Sequence, residues 1–366
     1  QTGFEAGPLA LGFRQRPALL SMAVGGFVAD PAHAVEASLS GRFPATAVFA
    51  DVPDLAPALA HFPGDADWTA RLTIDSAPGP TGGRKLLTLS SDLRGIAIAL
   101  PTPLAKPAGA AEPFELSLDL PFVGQTFSAR LGDVASARGR LPSPTAPFAA
   151  RVAVGAASAS ASDLPPRGAA IGGAVKTFDA GGWLDLMQPG SGGNASSAGS
   201  LVHDIDLHID DFQIGAKSFG PARLLVGDEG GATEVRIDGA AISGVLRIPG
   251  QDLRRQGVTA RFDRFHWPEA APDATGDDDS AIPEIAPAAL PPLHISINDF
   301  MLGKASFGKA EFESHPIADG MHVDKLESQS PNVTMTATGN WTGTERDNSS
   351  HLVIQLNAQN LGRMMD

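Results

Sequence analysis

Apolar and polar residues alternate with a period of two over much of this 366-residue chain. The clearest run lies at 205–224, where Ile205, Leu207 and Ile209 are separated by acidic residues and a histidine. A period of two places every apolar side chain on the same face of a strand. Gly215 then interrupts the run before a second apolar stretch, which is typical of a strand, a tight turn and a returning strand. The segment therefore predicts a β-hairpin with one apolar face.

The same hairpin occurs again 88 residues further along the chain, at 293–312. Residues 208–224 and 296–312 are identical at eight of seventeen positions, and the second copy keeps its alternation through Ile295 and Ile297. A single hairpin cannot bury its apolar face alone. Repeated copies therefore predict a sheet that grows strand by strand.

Shorter runs predict further strands before the hairpins, at 68–75, 85–91, 95–100, 114–120 and 126–131. Because strand follows strand without crossover helices, we expect antiparallel pairing. The predicted fold is mainly β, with repetitive antiparallel β-meanders that curl into an elongated, taco-like open groove, and with one or two short helices.

These elements predict five segments along the chain. The first is a β-rich groove segment over 1–140, with a short helix near 54–62. The second is a connecting segment over 141–200, with a short helix near 180–187 and a Gly/Ser linker at 189–200. A first β-meander repeat over 201–268, a Pro/Ala/Asp linker over 269–292 and a second repeat over 293–366 follow. The last residues, 361–366, are typical of the start of a helix.

Composition excludes several classes of function. The 41 glycines and 30 prolines favour short strands joined by turns, and a net charge of −14 argues against nucleic-acid binding. No cysteine is present to form a disulfide or a thiolate metal site. The longest apolar stretch, 18–29, is too short to span a bilayer. We expect the chain to be a piece of a longer protein, so that any anchor or signal would lie outside it.

The polar residues of the first hairpin are the main candidates for chemistry. Asp204, Asp206, His208, Asp210 and Asp211 could converge as a metal or acid–base cluster. The second copy keeps an aspartate at only one matching position, Asp299, so we interpret the cluster as the solvated face of a strand. Asp211 and Asp299 are expected to hydrogen-bond the local backbone at a turn or bulge.

No other pattern indicates catalysis. The acidic run 277–279 lacks the glycine and terminal glutamate of a calcium loop, and neither a G-x-S-x-G elbow nor a phosphate-binding loop is present. We therefore predict no catalytic residue, no metal, no cofactor and no enzyme activity.

The apolar face has two possible roles. In a closed sandwich it would be core, and the chain would be a scaffold or assembly module. In a repetitive sheet that curls on itself, the face would be an open trough able to hold acyl chains, each buried methylene contributing about 0.8 kcal/mol. An enzyme or glycan binder would need converging carboxylates or aromatic platforms, which the sequence does not offer.

Two segments resemble a known family. Ser91–Pro121, SDLRGIAIALPTPLAKPAGAAEPFELSLDLP, is similar to a stretch of the YhdP branch of the AsmA-like envelope proteins, and Ala170–Met187 resembles the short segment of that family that precedes a linker and a new β unit. The resemblance implies a periplasmic segment of a large protein, anchored in the inner membrane by a part absent here. It further implies that phospholipid acyl chains are carried in a groove between the inner and outer membranes. Contacts with the membranes would come from other parts of the protein, and we expect this chain to be monomeric.

On this interpretation, groove-lining residues come from both repeats and act by burial. They are Ile205, Leu207, Ile209, Ile214, Ile295, Ile297, Leu302, Val333, Met335, Leu352, Ile354 and Leu356. The paired phenylalanines Phe212, Phe219, Phe300 and Phe307 are expected to pack within the hairpins. A non-catalytic envelope scaffold of closed β-sandwich repeats is the alternative function.

Overall fold

The structure is a computed structural model that describes residues 2–52, 55–76, 83–155, 159, 164–187, 202–269, 286–331, 333–344 and 347–358. Most described residues lie in strands, and no closed barrel forms, so the mainly β class predicted from the sequence is confirmed. The chain divides into two compact units within one long strand, between Gly173 and Ala174, and Pro101–Pro103 belongs to the second unit.

Unit 1 is a sheet in which each strand pairs with the next along the chain. Its strands are β1 (Gly3–Phe13), β2 (Arg16–Gly25), β3 (His33–Phe43), β4 (Ala66–Asp75), β5 (Lys85–Ser91), β6 (Phe114–Asp119), β7 (Thr126–Leu131), β8 (Ala135–Arg140), β9 (Ala149–Val154) and the first half of β10 (Gly168–Asp179).

Unit 2 is built in the same way from the two repeats. Its strands are the rest of β10, β11 (Val202–Ile214), β12 (Lys217–Ser218), β13 (Ala222–Glu229), β14 (Ala232–Gly239), β15 (Ile242–Pro249), β16 (Val258–Trp267), β17 (Leu293–Leu302), β18 (Ala305–Ile317), β19 (Gly320–Gln329), β20 (Val333–Gly343) and β21 (Asn348–Ala358).

Two junctions are parallel, where the sequence predicts antiparallel pairing throughout. β9 pairs in parallel with β10, and β16 pairs in parallel with β17. A parallel pair needs a crossover of about a dozen residues or more. The segments 155–167 and 268–292 connect these strands and are long enough for it, so the expectation of purely antiparallel pairing is wrong at these two places.

Four short α-helices occur among the described residues, where the sequence predicts one or two. They are α1 (Ala45–Val48), α2 (Ala56–Leu59), α3 (Ala180–Met187) and α4 (Leu253–Gln256), together with a 3₁₀ helix at Pro287–Ala289. The helices predicted near 54–62 and 180–187 correspond to α2 and α3. The linker 189–200, most of the linker 269–292 and the helix predicted at 361–366 lie outside the described residues. Within the described ranges, no helix is long and apolar enough to cross a membrane.

The strand predicted at 95–100 is wrong. Ile96 and Ile98 make only isolated bridges, to Gly64 and Lys106 respectively. Both isoleucines are buried, at 0% and 3% exposure, because this segment folds as a loop against the ends of the strands. Gly95 has a φ of +103°, outside the range of a regular strand.

Candidate functional site

The strand registers of unit 1 align apolar side chains across the whole sheet. Residues that pair directly in neighbouring strands carry their side chains on the same face. A central row therefore crosses ten strands through Leu9, Leu20, Leu39, Ala70, Leu89, Leu116, Ala129, Ala137, Val152 and Ile171. Every member is apolar.

A second row lies beside it on the same face. It runs through Ala6, Met22, Ala37, Leu72, Leu87, Leu118, Phe127, Gly139, Ala150 and Ala169. We call these two rows the unit 1 apolar face. The sequence analysis named no residue of this face as a groove residue, although the alternation in 85–91 and 114–120 was the signal that could have done so.

The central row of the unit 1 apolar face is accessible along its length, whereas Gly139 and Ala150 of the second row are buried. From Leu20 to Ile171 each side chain of the central row is half-buried, and Leu9 is 54% exposed. The core of a two-layer sandwich would bury these side chains fully. Among the described residues, no second sheet covers this row.

Unit 2 has the same arrangement. Its first row runs through Ile205, Val226, Val235, Leu246, Ala260, Ile295, Phe312, Leu326, Ala337 and Ile354. Its second row runs through Leu207, Leu224, Ile237, Gly244, Phe262, Ile297, Ala310, Ser328, Met335 and Leu356. Both rows cross the parallel junction between β16 and β17 without interruption.

The structure brings ten of the twelve predicted groove residues to one face. Seven lie in the two rows just given, namely Ile205, Leu207, Ile295, Ile297, Met335, Ile354 and Leu356. Leu352 lies in a neighbouring row with Leu293 and Val323, while Ile209 and Val333 extend the face along β11 and β20. Ile214 and Leu302 instead lie at hairpin tips, paired with Lys217 and Ala305. Contact of these residues with lipid stays a prediction.

Part of the unit 2 face is covered. Pro287, in the 3₁₀ helix, is fully buried, and this helix packs against β18, β19 and β20. Ala337 and Val333 on β20 are each only 2% exposed, whereas Ile354 on the next strand is 57% exposed. The face is thus closed over the middle of the second repeat and open at β21. In the first repeat, the predicted groove residues Leu207 and Ile209 and the row residue Ala260 are also buried, at 5%, 3% and 1% exposure.

The opposite faces carry the charges. Arg223 holds Asp206 in a bidentate pair, with Nε and Nη2 donating over 2.9 and 2.8 Å. On β19, Lys325 donates to Glu311 over 2.5 Å, which raises the pKa of Lys325 and lowers that of Glu311. These exposed pairs indicate a solvated surface.

The acidic residues of the first hairpin do not converge on a metal site. The described residues contain no group of three or more metal-binding side chains placed to hold an ion. Asp211 accepts from the side chains of Ser218 and Gln213, not from the local backbone as the sequence suggests. Asp299 lies in a β-bulge and its Oδ2 is 2.8 Å from Nε2 of His266.

The hairpin phenylalanines pack in pairs. The rings of Phe212 and Phe219 are 6.4 Å apart, and those of Phe300 and Phe307 are 5.6 Å apart. Phe212 and Phe219 are buried, at 2% and 3% exposure. These ring contacts stabilise the hairpins, and none of the four phenylalanines belongs to the two rows of the unit 2 face.

Comparison with known proteins identifies one family. A family model described as YhdP protein matches residues 2–366, nearly the whole chain. No curated protein and no solved structure matches the chain.

Proposed function

We propose a lipid-transfer function from the premise that this chain belongs to the YhdP family, AsmA-like proteins of the cell envelope. The chain is a periplasmic segment whose apolar faces carry phospholipid acyl chains between the inner and outer membranes. The observation that carries the proposal is the uninterrupted apolar row across ten strands of each unit, half-exposed throughout unit 1.

The length of the rows suits acyl chains. Ten strands are separated by nine steps of about 4.8 Å, so one row extends over about 43 Å. A bilayer core of about 30 Å holds two chains end to end, so one acyl chain needs about 15 Å. The unit 1 row therefore offers room for two or three chains in line, whereas the unit 2 row is covered at Ala260 and Ala337.

The free energies favour movement of a lipid along the apolar face over tight binding at one place. A methylene leaving the bilayer for the apolar face exchanges one apolar environment for another, so the free energy of about 0.8 kcal/mol for each methylene is largely retained. The rows carry no charged side chain and no pair of hydrogen-bonding groups that would hold a lipid at one place. A chain can therefore move along them without a deep minimum.

Native mass spectrometry of the chain, purified without detergent, tests the proposal. We expect phospholipid to co-purify, or to be taken up from vesicles by the delipidated protein. Ile354→Lys should reduce the bound lipid, while Val353→Lys should not, because Val353 is on the opposite face and is also exposed, at 69%. Protein that stays lipid-free in both experiments would refute the proposal.

One observation favours the scaffold as a second candidate. β21 pairs with β20 over eleven residues without a bulge and contains no proline, lysine or carboxylate. Such an edge can accept another strand, whereas β1 at the other edge is interrupted at Pro8 by a register shift. Sedimentation analysis over a range of concentrations separates the candidates, since a scaffold should self-associate and a lipid conduit should remain monomeric.

A further inference from the structure

One end of the strands in unit 1 is closed by a buried aromatic cluster. Trp68 is 4% exposed, and its Nε1 donates to the carbonyl of Phe43 over 3.0 Å. The rings of Phe49 and Phe114 meet Trp68 edge to face at 6.0 and 5.8 Å. The segment that carries α1 and α2 and the loop 92–112 both lie at this end, which we call the closed border, and Ile96 of the loop is fully buried in the cluster.

Lys106 holds the loop of the closed border in place. Its Nζ shares its three N–H donors among the carbonyls of Leu93, Ile96, Pro107 and Ala110, at 3.0, 2.6, 3.2 and 2.8 Å. The side chain is 7% exposed, and burial lowers the pKa of its ammonium. Because Leu93 and Ala110 lie near the two ends of the loop, their hydrogen bonds to the same buried ammonium hold these ends together.

Within the described residues, which leave out 77–82 between β4 and β5, the other end of the strands has no such cover. There a short apolar row passes through Phe4, Val24, Val35 and Ile74, of which Phe4 is 52% exposed and the others are half-buried. The row ends on β5 at Lys85, which is exposed. We call this end, over β1–β6, the open border. Over β7–β9 the same end is partly covered, because the ring of Phe148 stacks on Phe127 at 6.1 Å.

The turns at the open border present large apolar side chains to solvent. Phe27 lies in the turn after β2, and Phe122 and Val123 lie in the turn after β6. They are 45%, 46% and 63% exposed. An acyl chain that approached the face from this side would meet apolar side chains before it reached the rows.

We propose that acyl chains enter and leave the unit 1 apolar face sideways, through the open border only, and that the closed border is a fixed wall. This inference rests on the proposed lipid-transfer function. Entry at the closed border would require the rings around Trp68 to separate and the four hydrogen bonds of Lys106 to break. Entry at the open border displaces only water, and it leaves the phosphate headgroup in solvent beside the turns.

Site-specific photocrosslinking tests the two borders separately. A benzophenone amino acid is placed at Leu87 in the second row, at Phe122 on the open border and at Val52 or Leu55 on the closed border. Val52 and Leu55 are suitable controls because they are 45% and 40% exposed, much like Phe122. The protein is then illuminated with vesicles of phosphatidylethanolamine and phosphatidylglycerol.

We expect lipid adducts at Leu87 and Phe122 and none at Val52 or Leu55. Adducts at Leu87 together with equal yields at both borders would overturn the inference and leave the lipid function standing. Absence of adducts at all positions, Leu87 included, would overturn both.

Kinetics supply a second, independent test. The double variant Phe122→Ser, Val123→Ser should take up fluorescent phospholipid from vesicles about tenfold more slowly, because the apolar contact at the border is lost. The matched variant Val52→Ser, Leu55→Ser should stay within about twofold of the unchanged protein. Both should bind the same amount of lipid at equilibrium. Equal slowing by both variants would contradict entry at one border.

Discussion

Substitution of two adjacent leucines on β5 can distinguish the proposed open apolar face from a closed core. Leu87 lies between Leu72 and Leu118 on the unit 1 apolar face, whereas Leu86 lies between Thr73 and Asp119 on the polar face. Both leucines are half-buried. The substitutions Leu87→Lys and Leu86→Lys therefore introduce the same charge into the same strand, at similar burial, on opposite faces.

The expected effect of Leu87→Lys on lipid binding follows from the geometry of the row. An acyl chain of about 15 Å extends over about three strand spacings, so a chain that lies along the second row at β5 crosses position 87. An ammonium group facing hydrocarbon costs about 3 kcal/mol, and escape of the long side chain toward water reduces this to about 2–3 kcal/mol. Lipid should then bind about 30- to 150-fold more weakly at this site. Leu86→Lys should leave the affinity within about twofold, since its ammonium faces water.

Lipid titration and urea unfolding of the two variants are the measurements. On an open face the lysine of Leu87→Lys reaches solvent in the lipid-free protein, so unfolding should become easier by only about 1 kcal/mol. In a closed sandwich the same lysine would be an unpaired buried charge that costs several kcal/mol. Severe destabilisation by Leu87→Lys, or equal lipid affinity in the two variants, would refute the open face.

Three further predictions concern stability. Lys106→Met should lower the free energy of unfolding by about 3 kcal/mol in urea titrations, because four carbonyls lose their donor, and the exposed Lys85→Met should have little effect. Burial lowers the pKa of Lys106 in the folded chain. The difference in the free energy of unfolding between the unchanged protein and Lys106→Met should therefore increase as the pH rises toward 10.5. A difference that stays constant with pH would contradict this. The hydrogen bond to Glu36 raises the pKa of His33 above 6.5. The stabilisation that this bond provides is therefore present below pH 6.5 and is lost as the pH rises through the folded-state pKa. The melting temperature of His33→Gln should differ from that of the unchanged protein at about pH 5.5 and converge with it at about pH 8.5. Ser328 is 1% exposed, and its hydroxyl has no hydrogen-bond partner within the described ranges, so Ser328→Ala should raise the free energy of unfolding by about 1 kcal/mol, and a loss would reveal a missing partner.

The alternation of side chains was enough to predict the strands and the apolar face of the repeats. Ile205, Leu207, Ile295 and Ile297 alternate with polar residues, and this property depends on local sequence alone. Their alignment into rows could not be predicted in the same way, because register depends on the turns and on the partner strand. Val226 and Leu246, for example, join the rows only through the pairings of β13 and β15.

The closed border was beyond prediction for a different reason. Ile96 and Ile98 alternate as strand residues do, but they lie in a loop, where Ile96 packs in the cluster of Trp68 and Ile98 bridges to Lys106. Lys106 reads as an ordinary surface lysine between alanine and proline. Its burial depends on four carbonyls of its own loop, which converge only when the loop has its folded conformation, and the alternation of apolar residues does not encode that conformation.

The parallel junction between β16 and β17 determines where the tips of the two hairpin copies lie in the sheet. Because β17 has the same direction as β16, the second hairpin tip lies at the same end of the strands as the first. An antiparallel junction would have placed it at the opposite end.

The aromatic residues at that end form one continuous series. Ring centroids are 6.4 Å apart for Phe212 and Phe219, 5.9 Å for Phe219 and Phe265, 6.3 Å for Phe265 and Phe300, and 5.6 Å for Phe300 and Phe307. Four of these five rings are the phenylalanines that are identical in the two hairpin copies, and Phe265 joins them across the junction, where it pairs with Phe300. On the apolar face some matching positions differ between aliphatic residues, as Leu207 and Ile295 do, and others are identical, as Ile209 and Ile297 are. The four hairpin phenylalanines at this border are identical in the two copies, because ring packing requires a particular shape.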